Sequence, residues 1–535
     1  MRQILLFCFL ITGTLFSCDG RSVFSGIYSD TIVYDQNSDA DVSGKLPIDI
    51  CPGIYSENNL NLYPAPKKVY GTEKQIEIKN PKFSFISDSK TGEFFNEFEK
   101  FYLKNRADIK ESMTELTIHT FPGIENLSVR CNTDFKIKEG SYYLKIIKNG
   151  DGALVYVVAD DEDGFYNGAK TVANLIFRNS LYETSVFDYP EVRYRGVAEA
   201  FYGKPWSRED RMDTLTYLAI LKYNMFLYSP KSDPYAWAMW RTPFDREEEE
   251  KLREIASHSK KLGIMPCYGI GPGYDIKFSN NKDYSALLYK YRKLISYGFD
   301  RCLVLAFDDT QKSLSDTDRE KFSDMAEAQI YLAKRLYEDL KKIKPDILLA
   351  FVPNDYTTNW AKADTYLSKI AQGLGKFYEL AWTGSEVVSP AITLTDLEEI
   401  KSIISKVPIL ADNYPVCDIM FNGGAAFLGP ITGREPSIFK ELQMYASNPM
   451  RYAISNVIPL GTIADMLWDP ENYESENSFN NSIRFFSRDG RAKDVYEFAT
   501  NLRSSLVSQN ESPELRQTID NFLKEYGSCD SRYYG

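Results

Sequence analysis

The sequence predicts an α/β protein: a closed (β/α)8 TIM barrel, preceded by a small α/β domain and followed by a helical region. Three observations carry this reading. From Tyr194 onward, short apolar runs alternate with helical patterns of roughly 20 to 40 residues, the signature of repeated βα units. Eight such runs fit within about 280 residues, the length of one barrel. One of them, Leu303 to Phe307, ends in two adjacent carboxylates, Asp308 and Asp309, as a buried parallel strand does when it stops at an open face.

The chain opens with Met1-Arg2-Gln3 and an apolar run to Phe16, the form of a secretory signal peptide. Leu15-Phe16-Ser17-Cys18 resembles a bacterial lipobox. Residues 1–18 are therefore expected to be a lipoprotein signal peptide, with Cys18 the lipidated residue that ties the protein to a membrane. The expected location is the cell envelope, periplasmic or surface-exposed; ordinary cleavage would make the protein secreted. Residues 19–57 are polar and aperiodic, a flexible tether. Residues 58–190 read as the small α/β domain, with strands Lys82–Ile86, Tyr142–Ile147 and Ala153–Ala159 and a helix over Gly164–Arg178.

The barrel is assigned to 191–470. Its predicted strands are Gly196–Phe201, Met225–Tyr228, Ile264–Tyr268, Cys302–Phe307, Leu348–Val352, Tyr378–Trp382, Pro408–Ala411 and Val457–Leu460. Residues 471–535 begin with an Asn/Ser/Glu-rich loop and carry two helical runs, Ala492–Val507 and Pro513–Tyr526. Ser512 serves as N-cap of the second, with Pro513 in its first turn.

Composition narrows the chemistry. A net charge of −12 over 535 residues argues against nucleic acid as a partner, because phosphate binding needs a basic face. Two histidines, His119 and His258, leave little room for a Ser-His-Asp triad or a histidine-rich metal site, and His258 reads as a solvated helix residue. The eight cysteines show no CxxC spacing and are expected to be buried free thiols. No cofactor and no metal are expected. The 14% aromatic content, with 37 tyrosines, suits stacking on sugar rings or a large core.

Two consecutive Asp at a strand end are expected to point to opposite sides of the pleat, so that they do different jobs at one pocket. Their repulsion should keep one protonated and the other ionised, the division an acid/base pair needs. Other predicted strands also end in polar or aromatic residues: Tyr202, Lys231, Asp355 and Tyr356, Thr383, Asp412 and Asn413.

Ordered motifs then point to a family. Arg195 to Trp206 matches "GxxEGFYGxPW" with one change, and Tyr228 to Tyr235 is similar to "YAPKDDPY". Gly271-Pro272-Gly273-Tyr274-Asp275, Phe307-Asp308-Asp309, Trp382-Thr383-Gly384, Asp412-Asn413, Phe427 to Pro430 and Asn448-Pro449 follow in order. From about Leu60 to Trp468 the chain resembles glycoside hydrolase family 84, the O-GlcNAcases and hyaluronidase-like β-N-acetylglucosaminidases. The segment Asp161 to Ala169 resembles the "DEDG…YG" corner of the domain preceding the barrel in many bacterial hexosaminidases.

The resemblance implies a retaining exo-β-N-acetylglucosaminidase acting on glycans or glycoproteins through an oxazoline intermediate, with the substrate's 2-acetamido oxygen as nucleophile. Asp308 would orient the acetamido N–H, and Asp309 would serve as general acid, then base. Lys231 and Asn413 would contact the sugar or the acetamido oxygen, and Tyr356 would hydrogen-bond the reacting acetamide. Asp418 would hold O4 and O6, Asn448 a further hydroxyl, and Tyr202 and Thr383 would line the acetamido pocket. Two positions depart from the pattern. Ala200 replaces a glycine whose carbonyl contacts the sugar, and Ala411 replaces an aromatic wall just before Asp412-Asn413. Those departures leave two other readings: a glycan-binding lipoprotein without turnover, and an endo-acting hyaluronidase.

Overall fold

The computed structural model describes residues 50–52, 62–505, 507, 516–517 and 520–521, apart from short gaps at 79–80, 87–88, 106–113, 180, 364, 419–425 and 488–490. The signal peptide, Cys18, most of the tether and most of Pro513–Tyr526 lie outside the described residues.

A six-stranded mixed sheet comes first. Its strands are β1 (Lys68–Gln75), β2 (Pro81–Ile86), β3 (Thr114–Phe121), β4 (Tyr142–Asn149), β5 (Gly152–Ala159) and β6 (Tyr182–Asp188), in the order β1-β6-β4-β5-β3-β2. Helices α1 (Ser89–Lys104), α2 (Ile124–Arg130) and α3 (Glu162–Phe177) accompany it. The "DEDG" corner proves to be an N-cap: Asp161 accepts hydrogen bonds from the backbone N–H of Gly164 at 2.7 Å and of Gly140 at 2.8 Å. Gly164 is fixed by close approach, since a Cβ there would stand 2.4 Å from the Ser141 carbonyl oxygen.

Helix α3 is buried along nearly its whole length, with the sheet on one side and the barrel on the other. Lys170 on it donates to the carbonyls of Tyr223 and Gly263, both at 3.0 Å, and burial pulls its pKa down to about 7. At the end of β6, Asp188 accepts from Lys222 Nζ, Tyr142 Oη and Trp468 Nε1, each at 2.9 Å. One buried carboxylate thus joins the sheet, the barrel and the helix that follows it.

The tether expectation is corrected at its C-terminal end. Cys51 is disulfide-bonded to Cys131, Tyr143 Oη donates to the Ile50 carbonyl at 2.6 Å, and Lys145 Nζ to that of Cys51 at 3.0 Å. This also corrects the expectation of free thiols throughout; Cys267, Cys302 and Cys417 are free and buried. His258 is corrected too. It is half-buried against α1 and the helix Arg208–Ile220, with Nδ1 3.5 Å from Glu97 and Nε2 3.2 Å from the Met212 carbonyl oxygen.

Eight parallel strands close the barrel: β7 (Tyr194–Glu199), β8 (Met225–Tyr228), β9 (Met265–Ile270), β10 (Cys302–Ala306), β11 (Leu348–Val352), β12 (Glu379–Trp382), β13 (Ile409–Asp412) and β14 (Met444–Ser447). Seven lie where sequence placed them, within a residue or two at each end. The eighth does not. Val457–Leu460 opens a helix, Val457–Trp468, and Met444–Ser447 closes the barrel instead. A helix buried on all sides shows no amphipathic stripe, so a short apolar window from it looks like a strand. Pro459 fits the helix because it falls in the first turn, where no N–H bond is lost.

Beyond it, the Asn/Ser-rich stretch expected to be a loop forms the helix Ser475–Phe486, and the next helix stops at Asn501. Among the described residues, no helix is long and apolar enough to cross a membrane.

Candidate active site

Strand periodicity decides which side chains reach the mouth of the barrel. Inward-facing positions on each strand carry the same parity: Cys302 and Val304 on β10, Ile409 and Ala411 on β13, Met444 and Ala446 on β14. Continuing that count past the strand ends gives Asp308, Asn413 and Asn448. The same rule takes β7 through Ala198 and Ala200 to Tyr202, β8 through Leu227 to Lys231, β11 through Ala350 and Val352 to Tyr356, and β12 through Ala381 to Thr383. All of these line one cavity at the C-terminal end of the barrel, together with Asp309 and Asp418. Every substrate-facing residue expected from sequence is therefore in one place.

Asp309 breaks the parity, and its backbone explains how it still reaches the cavity. With φ of 59° it occupies the left-handed region, which Asp tolerates better than most residues, and the carboxylate swings back beside Asp308. The expectation that the two carboxylates point to opposite faces is corrected: both face the same pocket.

Their surroundings differ. Asp308 accepts from Lys231 Nζ at 2.7 Å through Oδ2, while its buried Oδ1 has no hydrogen-bond partner among the described residues. Asp309 accepts from Tyr202 Oη at 3.0 Å and Tyr356 Oη at 3.2 Å, with Lys231 Nζ 3.6 Å away. The Asp308 carboxylate is 20% exposed and that of Asp309 37%, so Asp309 is the one that faces the opening. Burial, with the adjacent Asp309 charge, raises the phenol pKa of both Tyr202 and Tyr356. They stay protonated donors. Lys231 is nearly buried, its Nζ 3.7 Å from the centre of the Trp237 ring, a contact not foreseen from the motif.

The opposite wall is amide-rich. Asn448 Nδ2 donates to Asn413 Oδ1 at 3.0 Å, and Asn413 Nδ2 to the Val387 carbonyl at 2.7 Å. The buried Asn448 Oδ1 has no partner among the described residues. Asp418 receives the Tyr202 backbone N–H at 2.7 Å. Thr383 lines the cavity but spends its hydroxyl on the Glu386 carbonyl at 2.8 Å, so it offers the pocket a wall more than a donor.

Two charged strand-end residues do not line the cavity. Asp412 turns away from the cavity and is held by Arg434 at 2.7 and 2.8 Å and by Tyr445 Oη at 2.7 Å. Its carbonyl receives the Asn448 N–H at 2.9 Å, so the buried ion pair sets the amide wall. Asp355 is paired to Lys312 at 2.6 Å. Under the Ala200–Trp206 loop, Glu199 is buried against Arg211 at 2.6 and 2.8 Å and accepts the Trp206 N–H at 2.9 Å. Sequence reasoning missed Arg434, Arg211 and Trp237, since nothing local marks a distant partner. Among the described residues, no group of three or more His, Cys, Asp or Glu is placed to hold a metal.

Comparison with known proteins agrees with this arrangement. The β-N-acetylglucosaminidase family model matches residues 195–500, more than half of the chain. Protein O-GlcNAcase of Rattus norvegicus and that of Mus musculus are each 33% identical over 273 residues, which is 50% of this chain and 29% of theirs. The chain thus spans under a third of the length of those curated relatives. Among solved structures, CpGH84B superposes with a TM-score of 0.72 at 26% identity, over 87% of this chain and 81% of that one. An O-GlcNAc hydrolase mutant from Thermobaculum terrenum gives 0.58 at 26% identity, over 63% and 72%. With the motif order, the closed barrel and the family match all in agreement, the chain belongs to the β-N-acetylglucosaminidases of glycoside hydrolase family 84.

Proposed function

We propose that the protein is a retaining exo-β-N-acetylglucosaminidase that removes terminal β-linked N-acetylglucosamine from glycans or glycoproteins, with the substrate's own acetamide as nucleophile. The observation that carries this reading is the unequal pair at the end of β10. One carboxylate has an oxygen free to accept an N–H, and the other is more exposed and held by two phenols.

In the first step the acetamido oxygen attacks the anomeric carbon as the glycosidic bond breaks. Asp308 Oδ1 accepts the amide N–H as that nitrogen becomes positive, and Asp309 gives its proton to the departing oxygen. Tethered attack benefits from high effective molarity, so no protein nucleophile is needed. In the second step Asp309 takes a proton from water, which opens the oxazoline and restores the original anomeric configuration. The rule that reads stereochemistry from carboxylate separation excepts such substrate-assisted enzymes. Tyr356, now on Asp309, would swing its hydroxyl to the acetamide; Tyr202 and Thr383 would wall it. Lys231 and Asn413 would contact the sugar or acetamide, Asp418 O4 and O6, Asn448 another hydroxyl, and the Ala200 carbonyl the ring. Attachment to the cell envelope through a lipid on Cys18 belongs to the same proposal, supported by the lipobox-like sequence.

Progressive fluorination of the acetyl methyl tests the mechanism. The rate on aryl substrates should fall with each fluorine, and the corresponding glucosides should be inert. A flat response, or a 2-fluoro sugar trapped covalently on Asp308 or Asp309, would overturn it.

A further inference from the structure

The turn that leaves β9, Gly271-Pro272-Gly273-Tyr274-Asp275, contributes no residue to the cavity, yet both of its glycines touch what holds the paired carboxylates. The turn itself is well anchored. Asp275 accepts from Trp240 Nε1 at 2.8 Å and from Arg241 at 2.5 Å, and the Gly271 N–H donates to the Ala236 carbonyl at 2.9 Å. A Cβ on Gly271 would stand 1.9 Å from a ring carbon of Trp237, so the indole rests directly on that backbone, where only glycine leaves room. A Cβ on Gly273 would stand 2.4 Å from Thr310 Oγ1. Thr310 follows Asp309 and donates to the Phe307 carbonyl at 2.7 Å, closing the turn that carries Asp309 through its left-handed φ.

Trp237 is the link to Asp308. It is buried, and the Tyr274 ring meets it at 65° with centres 6.2 Å apart. Its ring centre lies 3.7 Å from Lys231 Nζ, against 5.8 Å for the Tyr202 ring. Lys231 in turn reaches Asp308 Oδ2 at 2.7 Å and Asp309 Oδ2 at 3.6 Å. A lysine is a compact charge on a flexible four-carbon stem, so two carboxylates within reach give it a choice. An ammonium that moved over to Asp309 would compete with the Tyr202 and Tyr356 hydroxyls there and leave Asp308 unheld. Indole is the aromatic face that attracts a cation most strongly, and the attraction is greatest where water is excluded. The buried Trp237 Nε1 has no hydrogen-bond partner among the described residues, so what this side chain supplies is its face. We propose that Trp237 is a positioning residue for the reaction: the Gly271–Asp275 turn fixes the indole, and the indole fixes Lys231 on Asp308. Asp308 then keeps Oδ1 in place for the substrate amide. The inference rests on the function proposed above.

Fluorination tests it without changing the fold. Fluorines on the indole withdraw electron density from the ring face and leave its shape nearly unchanged. In protein made with mono-, di- and trifluorotryptophan, kcat/KM on 4-nitrophenyl N-acetylglucosaminide should therefore fall stepwise. The same labelling in Trp237→Phe, which keeps the remaining tryptophans, should change nothing. Trp237→Leu should lose about ten- to thirtyfold, the worth of a desolvated cation–π contact, and Trp237→Phe should recover most of that loss. Gly271→Ala, which displaces the indole from the other side, should match Trp237→Leu. A second readout needs no turnover. In protein with isotope-labelled lysine, the Lys231 ammonium protons, assigned by their loss in Lys231→Met, should resonate upfield of other lysines because the indole shields them. That shift should vanish in Trp237→Leu and Gly271→Ala and persist in Gly273→Ala, which meets Thr310 instead. Turnover indifferent to fluorination, or a Lys231 signal unchanged by Trp237→Leu, overturns the proposal while leaving hydrolysis intact. A wild type inactive on the aryl substrate overturns the function instead, and the ammonium signal then still decides whether the contact exists.

Discussion

Replacing Asp309 separates proton donation from everything else the site does, and the structure states how to replace it cleanly. The residue sits at φ 59°, where Asn is tolerated about as well as Asp, while a Cβ without a polar group costs about 1 kcal/mol more. Asp309→Asn also keeps an amide oxygen to accept from Tyr202 or Tyr356, now at 3.0 and 3.2 Å. What disappears is the transferable proton. General acid catalysis is worth about a hundred- to ten-thousandfold, and it matters in proportion to how poor the leaving group is. The variant should therefore lose that factor on alkyl or sugar leaving groups. On 2,4-dinitrophenyl N-acetylglucosaminide, which departs unaided, the first step should slow less than about tenfold. Asp308→Asn should lose rate on both substrates, because it acts on the acetamide. The assay is a plot of log kcat/KM against leaving-group pKa for the three proteins. A slope in Asp309→Asn no steeper than in Asp308→Asn would refute the assignment of roles.

Other expectations follow from the same geometry. Tyr356→Phe deletes a hydrogen bond to a carboxylate and should lower kcat/KM about ten- to a hundredfold with the melting temperature little changed. Arg434→Met leaves the Asp412 carboxylate buried beside Tyr445 alone; urea unfolding should show a loss of about 3–5 kcal/mol, with lower activity because Asn448 hangs from the Asp412 carbonyl. The hydrogen bond from His258 holds the Glu97 carboxyl down at about 2. A depressed carboxylate stabilises fully above its ordinary value and loses that contribution as pH falls toward 2. Thermal melts from pH 6 to 2 should thus fall more steeply for wild type than for Glu97→Gln, and parallel curves would refute the linkage. Activity should survive EDTA; loss restored by added divalent ions would refute metal-free chemistry.

The barrel was legible because seven of its strands are compact apolar runs bounded by helical periodicity. The eighth, Met444–Ser447, is four residues long and follows a 3-10 helix, so it carries little signal. The more apolar Val457–Leu460 took its place in the prediction although it begins a helix. The anchoring of residues 50–52 was illegible for another reason: a disulfide to Cys131 joins positions 80 residues apart, which no local pattern records. Asp188, Lys222 and Trp468, which tie three parts of the fold together, are invisible for the same reason.

The site divides along similar lines, and the division has a physical cause. Lys231, Thr383, Asn413 and Asn448 were placed by the motif resemblance, and in the structure each continues the inward parity of its strand. Asp412 is one position out of step, and the same alternation sends it away from the cavity to Arg434. Asp309 is also out of step, and only its left-handed backbone returns it to the pocket. A strand end that obeyed the pleat would give one carboxylate to the sugar and bury the other. By turning one residue through a conformation that most side chains resist, the loop places two carboxylates, with different partners, on one side of one strand. The substrate-assisted chemistry proposed here requires that arrangement. The same parity that carries these residues into the mouth also places Ala198, Ala350, Ala381 and Ala446 on the inner wall beneath them, so the open cavity and the catalytic geometry share one alternating pattern.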